Sequence, residues 1–139
     1  MKTSVVEFSE LEKTGKAPLD SLALKIGKVY VVAITRDGCS ACKKQKPELD
    51  RLAETLAKKH GKRVVFTRVH VNYSSDSQEE SLRSKDLLRH YFYPTNLVLI
   101  RSRDRGAIEF YRNTSPDMRE LRKNVERAVE VATFFEKGS

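Results

Sequence analysis

Apolar side chains recur along this chain in two patterns, the continuous or alternating runs of β-strands and the three- and four-residue spacing of helices. Residues 29–35 are apolar or β-branched almost throughout, which is typical of a strand buried on both faces of a sheet. Runs at 63–71 and 96–100 predict two further strands. Residues 107–111 alternate, and with the turn Asp104-Arg105-Gly106 before them they predict an edge strand that closes a hairpin.

Three helices are predicted between and after these strands. The first contains Pro47, ends at a left-handed cap formed by Gly61, and has the apolar positions Leu49, Leu52, Ala53, Leu56 and Ala57. The second follows a polar loop at 72–77, and its apolar members are Leu82, Leu87, Leu88 and Tyr91. The third starts at Ser115-Pro116-Asp117, and its apolar face consists of Met118, Leu121, Val125, Ala128, Val129 and Ala132.

Residues 1–28 have the weakest periodicity in the chain. Residues 5–8 fit a short strand, Ser9 fits the cap of a helical turn, and an amphipathic lead-in follows. Strands and helices then alternate without a repeat, a low-complexity tract or a linker. The pattern therefore predicts one α/β domain over residues 1–139, with 1–28 as an N-terminal strand and helix lead-in.

The composition fits one globular domain. The chain has 139 residues, 39% of them hydrophobic and 33% charged, and a chain of this length buries roughly two thirds of its unfolded surface. No apolar run approaches the ~18 residues of a membrane span.

The N-terminal sequence turns acidic at Glu7, before the apolar core of a signal peptide forms, so we expect a cytoplasmic protein. The alternative is an extracytoplasmic location, if a signal segment has been removed.

The formal charge of +8 raises the question of nucleic-acid binding. Basic residues are spread along the chain with acids beside many of them, and no aromatic–basic recognition motif accompanies them, which argues against nucleic acid as a partner. The densest basic groups are residues 43–46, beside the cysteines, and 101–105, in the predicted turn. The charge pattern indicates either a solvated surface or the steering of acidic partner proteins toward the cysteines.

The only two cysteines, Cys39 and Cys42, lie where the first buried strand gives way to the first helix. Two thiols at this spacing on a helix start are typical of a redox pair. The unpaired N–H groups and the positive end of the helix stabilise a thiolate, which lowers the thiol pKa below the ~8.5 of free cysteine. We expect Cys39, exposed at the helix start, to be the nucleophile and the less exposed Cys42 to resolve a mixed disulfide.

Two other interpretations of the cysteine pair stay open on the residues alone. A zinc site needs four ligands, and only His60, His70 and His90 are available to join the two thiols. Nothing in the sequence places these histidines near the cysteines, so neither a metal nor another cofactor is expected. The pair could also be redox-inactive in a domain that only binds partners.

The predicted elements over about residues 29–132 follow one order. A strand leads to Cys39 and Cys42, and a helix containing Pro47, another strand and another helix come next. A strand opened by Tyr93-Pro94-Thr95, a hairpin strand and a final helix complete the order. This order resembles the thioredoxin-like superfamily, and the Tyr-Pro-Thr triplet is similar to its protein disulfide isomerase branch. The resemblance implies a three-layer α/β/α sandwich with a central mixed sheet of four to five strands. It also implies that Pro94 is a cis-proline beside the cysteines, and that Gly38, Tyr93 and Pro94 bind the substrate polypeptide.

The chain departs from the thioredoxin pattern at several positions. Ala33 stands where thioredoxins have a buried aspartate that accepts the proton of the resolving thiol. Gly38 replaces the usual tryptophan before the first cysteine, and Ser40-Ala41 replaces Gly-Pro between the two cysteines. These differences indicate a divergent member in which Cys42 loses its proton to water or to another group.

The sequence therefore predicts an enzyme, a thiol–disulfide oxidoreductase with a redox-active disulfide and a role in cell redox homeostasis. The expected partners are protein disulfide substrates and an upstream dithiol reductase or oxidase, and the expected state is a monomer. The alternative is a redox-inactive thioredoxin-like module that docks acidic partners through its basic surface.

Overall fold

The structure, a computed structural model, describes residues 3–15, 17–114 and 117–138. Its strands are β1 (Ser4–Glu7), β2 (Val29–Arg36), β3 (Val64–Val71), β4 (Thr95–Arg101) and β5 (Ala107–Asn113). They form one mixed sheet in the order β1-β3-β2-β4-β5, in which β1 and β2 run parallel to β3 while β4 is antiparallel to both β2 and β5. The predicted mixed sheet is confirmed, with five strands.

Helices cover both faces of this sheet. They are α1 (Phe8–Glu12), α2 (Pro18–Leu22), α3 (Ser40–His60), α4 (Glu79–Leu88) and α5 (Met118–Lys137). One core cluster joins the sheet to α3 and α5, and a second joins its other face to α1, α2 and α4. The predicted α/β/α layering is therefore confirmed. None of the described helices is long and apolar enough to cross a lipid bilayer.

The central strand β2 explains why its sequence shows no alternation. Val29, Val31 and Ala33 point into the first core cluster, whereas Tyr30, Val32 and Ile34 point into the second. Both faces of this strand are covered by helices, so both sets of side chains are apolar. β2 is also hydrogen-bonded on both edges, which places its C-terminal end, and the cysteines after it, at the middle of the sheet.

Several local predictions are wrong at the ends of elements. Phe8 begins α1 instead of ending β1, because its fully buried ring packs into the second core cluster. The helix predicted to run through Tyr91 ends at Leu88, where Arg89 takes a left-handed conformation with φ 56°. Leu82 and Tyr91 are consequently solvent-exposed, at 63% and 81%, and are not members of an apolar helix face.

Two predicted caps also differ from the structure. Asp117 is the N-cap of α5, and its carboxylate accepts hydrogen bonds from the N–H groups of Arg119 and Glu120 at 3.1 Å each. The predicted cap and first-turn proline, Ser115 and Pro116, lie outside the described residues. Gly61 ends α3 with φ 60° and ψ −133°, so it has the expected positive φ but not the left-handed helical ψ.

A pair of buried amides connects α3 to the sheet beside the cysteines. Gln45 and Asn96 exchange two hydrogen bonds of 2.8 Å, and Asn96 also donates to Asn113 at 2.9 Å. Asn96 is the register partner of Ala33 on β2, so the pair lies where the strand approaches the helix that carries Cys42. Each amide is almost fully buried and satisfied by the other.

Replacing one member of this pair should destabilise the fold more than replacing both. Asn96→Leu leaves the Gln45 amide buried without partners and should lower the free energy of unfolding by about 1–3 kcal/mol. The double variant Gln45→Leu, Asn96→Leu removes both fully buried amides, so only the partly buried Asn113 loses a hydrogen bond, and part of that loss should be recovered. Urea unfolding of the three proteins measures the difference, and a double variant less stable than Asn96→Leu would contradict the interpretation.

Candidate active site

The sulfur of Cys39 caps the N-terminus of α3. Cys39 is the N-cap residue, with an extended backbone, and its Sγ accepts a hydrogen bond from the Cys42 N–H at 3.1 Å. The Cys39 carbonyl accepts the Lys43 N–H at 3.2 Å. The 21 residues of α3 therefore direct their positive end and their unpaired N–H groups toward Sγ, which favours a thiolate there once the pair is reduced.

Cys39 and Cys42 form a disulfide, with their Cα atoms 5.3 Å apart. The expectation that Cys39 is the exposed member is wrong for this oxidised state, because Cys39 is 6% exposed and Cys42 9% exposed. Cys39 Sγ is covered by the Tyr93 carbonyl, at 3.6 Å, as well as by its own partner. A disulfide sulfur has no proton to donate, so this approach becomes a hydrogen bond only in the dithiol.

The three residues predicted to bind substrate lie around this disulfide. The Tyr93–Pro94 peptide bond is cis and directly precedes β4, and Tyr93 contacts Cys39 through its carbonyl. Gly38 has φ 68°, a left-handed value that favours glycine, although the space around its Cα would admit a side chain. The Tyr93 hydroxyl is hydrogen-bonded to Ser81 of α4 at 2.9 Å, so its ring is anchored to the second core cluster.

Two exposed aromatic side chains next to Tyr93 in the chain were not predicted as part of the site. Tyr91 and Phe92 are 81% and 62% exposed and immediately precede Tyr93. The guanidinium of Arg36 lies 3.9 Å from the ring centroid of Tyr73 and 5.6 Å from that of Tyr93. The sequence signal for this aromatic surface is the unbroken run Tyr91-Phe92-Tyr93 before a proline. That signal was missed because Tyr91 was assigned to the apolar face of the preceding helix.

A cleft of about 940 Å³ opens beside the disulfide, between α3 and the edge formed by β1 and β3. Both cysteines, Gln45 and Ala33 line it. At position 33, where an acid was missing from the sequence, the methyl group leaves this space open and supplies no proton acceptor for Cys42.

A histidine joins the edge of the sheet to the loop before Cys39. His70 on β3 contacts Glu7 through Nδ1 at 2.7 Å and Asp37 through Nε2 at 2.8 Å. Partial burial by itself would lower the pKa of His70, but the hydrogen bonds to the two carboxylates outweigh it and raise that pKa. The pKa of Asp37 is lowered by its bond to His70 and by the Tyr73 N–H. Asp37 is thus a paired group and not a freely solvated loop acid.

A second histidine lies buried beneath Tyr93. The His90 ring is stacked edge-on against the Tyr93 ring at 5.0 Å, and its Nε2 is within 2.8 Å of the Ser84 hydroxyl. Its Nδ1 has no partner at hydrogen-bond geometry within the described part of the chain. Burial lowers the pKa of His90 to about 4, and the Phe92 backbone offsets this only in part, so the ring is neutral at physiological pH.

The histidines that could have completed a zinc site each have partners other than the cysteines. His60 pairs with Glu126 at the far end of α3, while His70 and His90 have the partners described above. In residues 3–15, 17–114 and 117–138, no group of three or more His, Cys, Asp or Glu side chains is arranged to hold a metal ion.

The fold is shared with known thioredoxins. A thioredoxin of Fasciola hepatica is 19% identical, with a TM-score of 0.55, and the match covers 90% of this chain and 98% of that one. Spinach chloroplast thioredoxin f is 19% identical with a TM-score of 0.59, covering 91% of this chain and 93% of that one. The Trx4 domain of ERdj5 is 15% identical with a TM-score of 0.62, covering 93% and 96%.

These identities establish a thioredoxin-like fold and nothing finer, so the resemblance expected from the sequence is confirmed at the level of fold. No protein-family model matches the chain. No curated protein sequence matches it either. The Cys39–Cys42 disulfide at the start of α3 comes from the chain's own geometry, and together with the fold it supports thiol–disulfide redox chemistry in general terms.

The buried neutral His90 should make the protein less stable in acid. Its folded pKa of about 4 lies below the ~6.5 of an unfolded histidine, so between these values only the unfolded state binds the proton. The free energy of unfolding should therefore fall by up to about 3 kcal/mol as the pH drops through this window.

Urea unfolding across that pH range tests the expectation. His90→Gln retains a hydrogen-bonding side chain for Ser84 but does not titrate, so it should lose less stability over the same pH interval. Equal pH dependence in the two proteins would show that His90 is not the group responsible.

Proposed function

We propose that this chain is a thiol–disulfide oxidoreductase that acts on protein disulfides, with Cys39 as the nucleophile and Cys42 as the resolving thiol. The observation that carries the proposal is the position of Cys39 Sγ, which forms the disulfide with Cys42 and also accepts an N–H hydrogen bond at the end of a long helix. A helix N-terminus stabilises the thiolate over the thiol, and the thiolate is the attacking species.

The proposed reaction has two exchange steps. The Cys39 thiolate attacks one sulfur of a substrate disulfide, the substrate S–S bond breaks, and the second substrate sulfur leaves as a thiolate and takes a proton from water. Cys42 then loses its proton and attacks Cys39 Sγ, which releases the first substrate sulfur and closes the Cys39–Cys42 disulfide. The substrate gains two electrons from the protein, and an upstream dithiol reductase returns them; running backward, the same steps oxidise a substrate dithiol.

The second step needs a proton acceptor for Cys42. No acid is available at position 33, since that residue is alanine, and the neighbouring Gln45–Asn96 pair consists of amides that do not accept a proton at neutral pH. The cleft that Cys42 lines is wide enough for water, which therefore takes the proton in this proposal. Resolution by water predicts slower turnover than with a dedicated buried base.

The substrate side of the proposal rests on the surface around the disulfide. Gly38 lines the cleft with the cysteines, and Pro94 follows the residue whose carbonyl covers Cys39. The exposed rings of Tyr91 and Phe92 offer apolar contact area to a polypeptide. Within the described residues, the neighbouring cations form no ion pair with a carboxylate; they are Arg36, Lys43, Lys44, Lys85 and Arg89. Such a surface suits an acidic polypeptide with apolar side chains next to its disulfide.

Reduction of insulin disulfides in the presence of dithiothreitol tests the reaction. The wild type should accelerate it, whereas Cys39→Ser should fall to the rate of the blank because the nucleophile is gone. Cys42→Ser should also fail to turn over but should accumulate mixed disulfides on Cys39, which mass spectrometry detects. Ser40→Ala, which changes the exposed residue beside Cys39, should keep its activity. A wild type no faster than the blank would favour the interaction module that docks acidic partners.

Loss of the aromatic surface should impair polypeptide substrates alone. The double variant Tyr91→Ser, Phe92→Ser should lower kcat/KM for insulin about 10-fold, since each ring contact contributes about 0.5–1.5 kcal/mol. Hydroxyethyl disulfide is too small to touch these rings and should be reduced at the wild-type rate.

The matched control is Phe134→Ser, which removes another exposed aromatic side chain, 59% accessible, from α5 on the opposite helix layer. It should leave both substrates unaffected. A double variant that loses activity on both substrates to the same extent would indicate damage to the cysteine pair, and the aromatic surface would then have no role in binding.

A further inference from the structure

His70 is held between two carboxylates that come from different parts of the chain. Glu7 belongs to the edge strand β1, and Asp37 belongs to the loop that connects β2 to Cys39. The second oxygen of Asp37 accepts the Tyr73 N–H at 3.1 Å, and the Asp37 N–H donates to the Val71 carbonyl at 3.3 Å. The loop before Cys39 is therefore attached to β3 and to the segment after it, with His70 at the centre of the attachment.

Only the charged form of His70 can make both contacts as hydrogen bonds. An ionised carboxylate accepts and never donates, so Glu7 and Asp37 each require an N–H group from the ring. The imidazolium has two N–H groups, whereas the neutral ring has one N–H and one lone pair. When His70 loses its proton, one carboxylate faces a lone pair and its contact becomes repulsive.

The charge of this cluster changes close to the nucleophile. Asp37 is two residues before Cys39 in the chain, and Asp37, His70 and Cys39 all line the same cleft. With His70 protonated the cluster of Glu7, Asp37 and His70 has a net charge of −1, and without that proton it has −2. A more negative cluster disfavours a thiolate at Cys39, because like charges repel.

The other charged groups of the cleft do not offset the change in charge that follows when His70 loses its proton. The other charged side chains lining it come from the end of β2, from α3 and from β3, and are Arg36, Lys43, Lys46, Asp50, Glu54 and Arg68. Lys46 and Asp50 pair with each other at 3.0 Å, and the Arg36 guanidinium donates to the Asp37 carbonyl at 2.7 Å. Histidine is the side chain whose charge ordinarily changes near neutral pH, and His70 is the one histidine that lines this cleft.

We propose that His70 is a positioning residue for the redox pair: as the imidazolium it holds Glu7 and Asp37 together, orders the loop before Cys39, and binds its proton more tightly when Cys39 is a thiolate. The inference rests on the proposed function, because it requires Cys39 to cycle between disulfide and thiolate. It makes the redox reaction sensitive to pH through a side chain that takes no part in the thiol exchange itself.

The redox step that this coupling accompanies balances with an ordinary dithiol as reductant. Dithiothreitol gives two electrons to the Cys39–Cys42 disulfide and becomes a cyclic disulfide, releasing two protons. One proton goes to Cys42, and Cys39 remains a thiolate. The second proton goes to solvent, or to His70 in those molecules where the ring was neutral. Proton binding by His70 and thiolate formation at Cys39 must favour each other equally, since linkage is reciprocal.

An NMR titration of the histidine rings in the oxidised and the reduced protein tests the coupling. The midpoint of His70 should be higher in the reduced protein by about half a pH unit, a ~3-fold change typical of partly exposed charges. His60, paired with Glu126 at the other end of α3, is the internal control because it is remote from the redox pair. Reduced Cys39→Ser has no thiolate at position 39, so its His70 should match that of the oxidised wild type. Equal His70 midpoints in oxidised and reduced wild type would overturn the proposal.

Two variants distinguish the effect of His70 on the position of the loop before Cys39 from the effect of its charge on the Cys39 thiolate. His70→Gln should slow the reaction of reduced Cys39 with iodoacetamide about 3-fold at pH values below the wild-type His70 midpoint and leave it unchanged above.

Asp37→Asn should fold normally, because its amide N–H can donate to a neutral His70 while its oxygen accepts the Tyr73 N–H. The second inflection in its Cys39 reactivity should lie at lower pH than in the wild type, because His70 keeps Glu7 but loses one of the two carboxylates that favour its proton.

A uniform slowing of His70→Gln at every pH would show a purely structural role and would overturn the proposal. Insulin reduction by the same proteins distinguishes this failure from failure of the proposed function. If the wild type is active but its His70 midpoint is the same in the oxidised and reduced forms, only the coupling is refuted. If the wild type is inactive, the proposed oxidoreductase function is refuted.

Discussion

The hydrogen bond from the Cys42 N–H to Cys39 Sγ is the contact on which the site depends. Helices are usually capped by a side-chain oxygen of Ser, Thr, Asp or Asn, but here a sulfur takes that place. The atom that caps the start of the helix is therefore also the proposed nucleophile. Its position requires β2 at the centre of the sheet, because that strand delivers the chain to the start of α3 between the two helical layers.

Burial and pairing give the two histidines near the site opposite properties. His90 is enclosed against Tyr93 with one ring nitrogen unsatisfied, and burial lowers its pKa to about 4. His70 is also partly buried, but two carboxylates accept from its ring and raise its pKa. One histidine is thus a neutral packing element beneath the site. The other links the sheet edge to the loop that leads to Cys39, and the two carboxylates favour its protonated form.

The fold was predictable because its signals are local in the chain. The unbroken apolar run of β2, the two cysteines at a helix start and the Pro94 strand opening each lie within a few residues, and all appear in the structure where their patterns place them. The errors arise where a distant part of the chain decides the outcome. Phe8 joins a helix because the second core cluster has room for its ring, and Tyr91 is exposed because α4 stops at Leu88.

The order of strands and helices, the spacing of the cysteines and the lack of an acid at position 33 can be read from the amino-acid sequence, since periodicity and residue identity are properties of neighbouring positions. The surroundings of the cysteines instead depend on how distant segments pack. The Tyr93 carbonyl that covers Cys39 is 54 residues away in the chain, and His70 meets Asp37 across 33 residues and Glu7 across 63. Contacts of this range leave no period in the sequence, because the parallel pairing of β1, β2 and β3 brings them together only after folding.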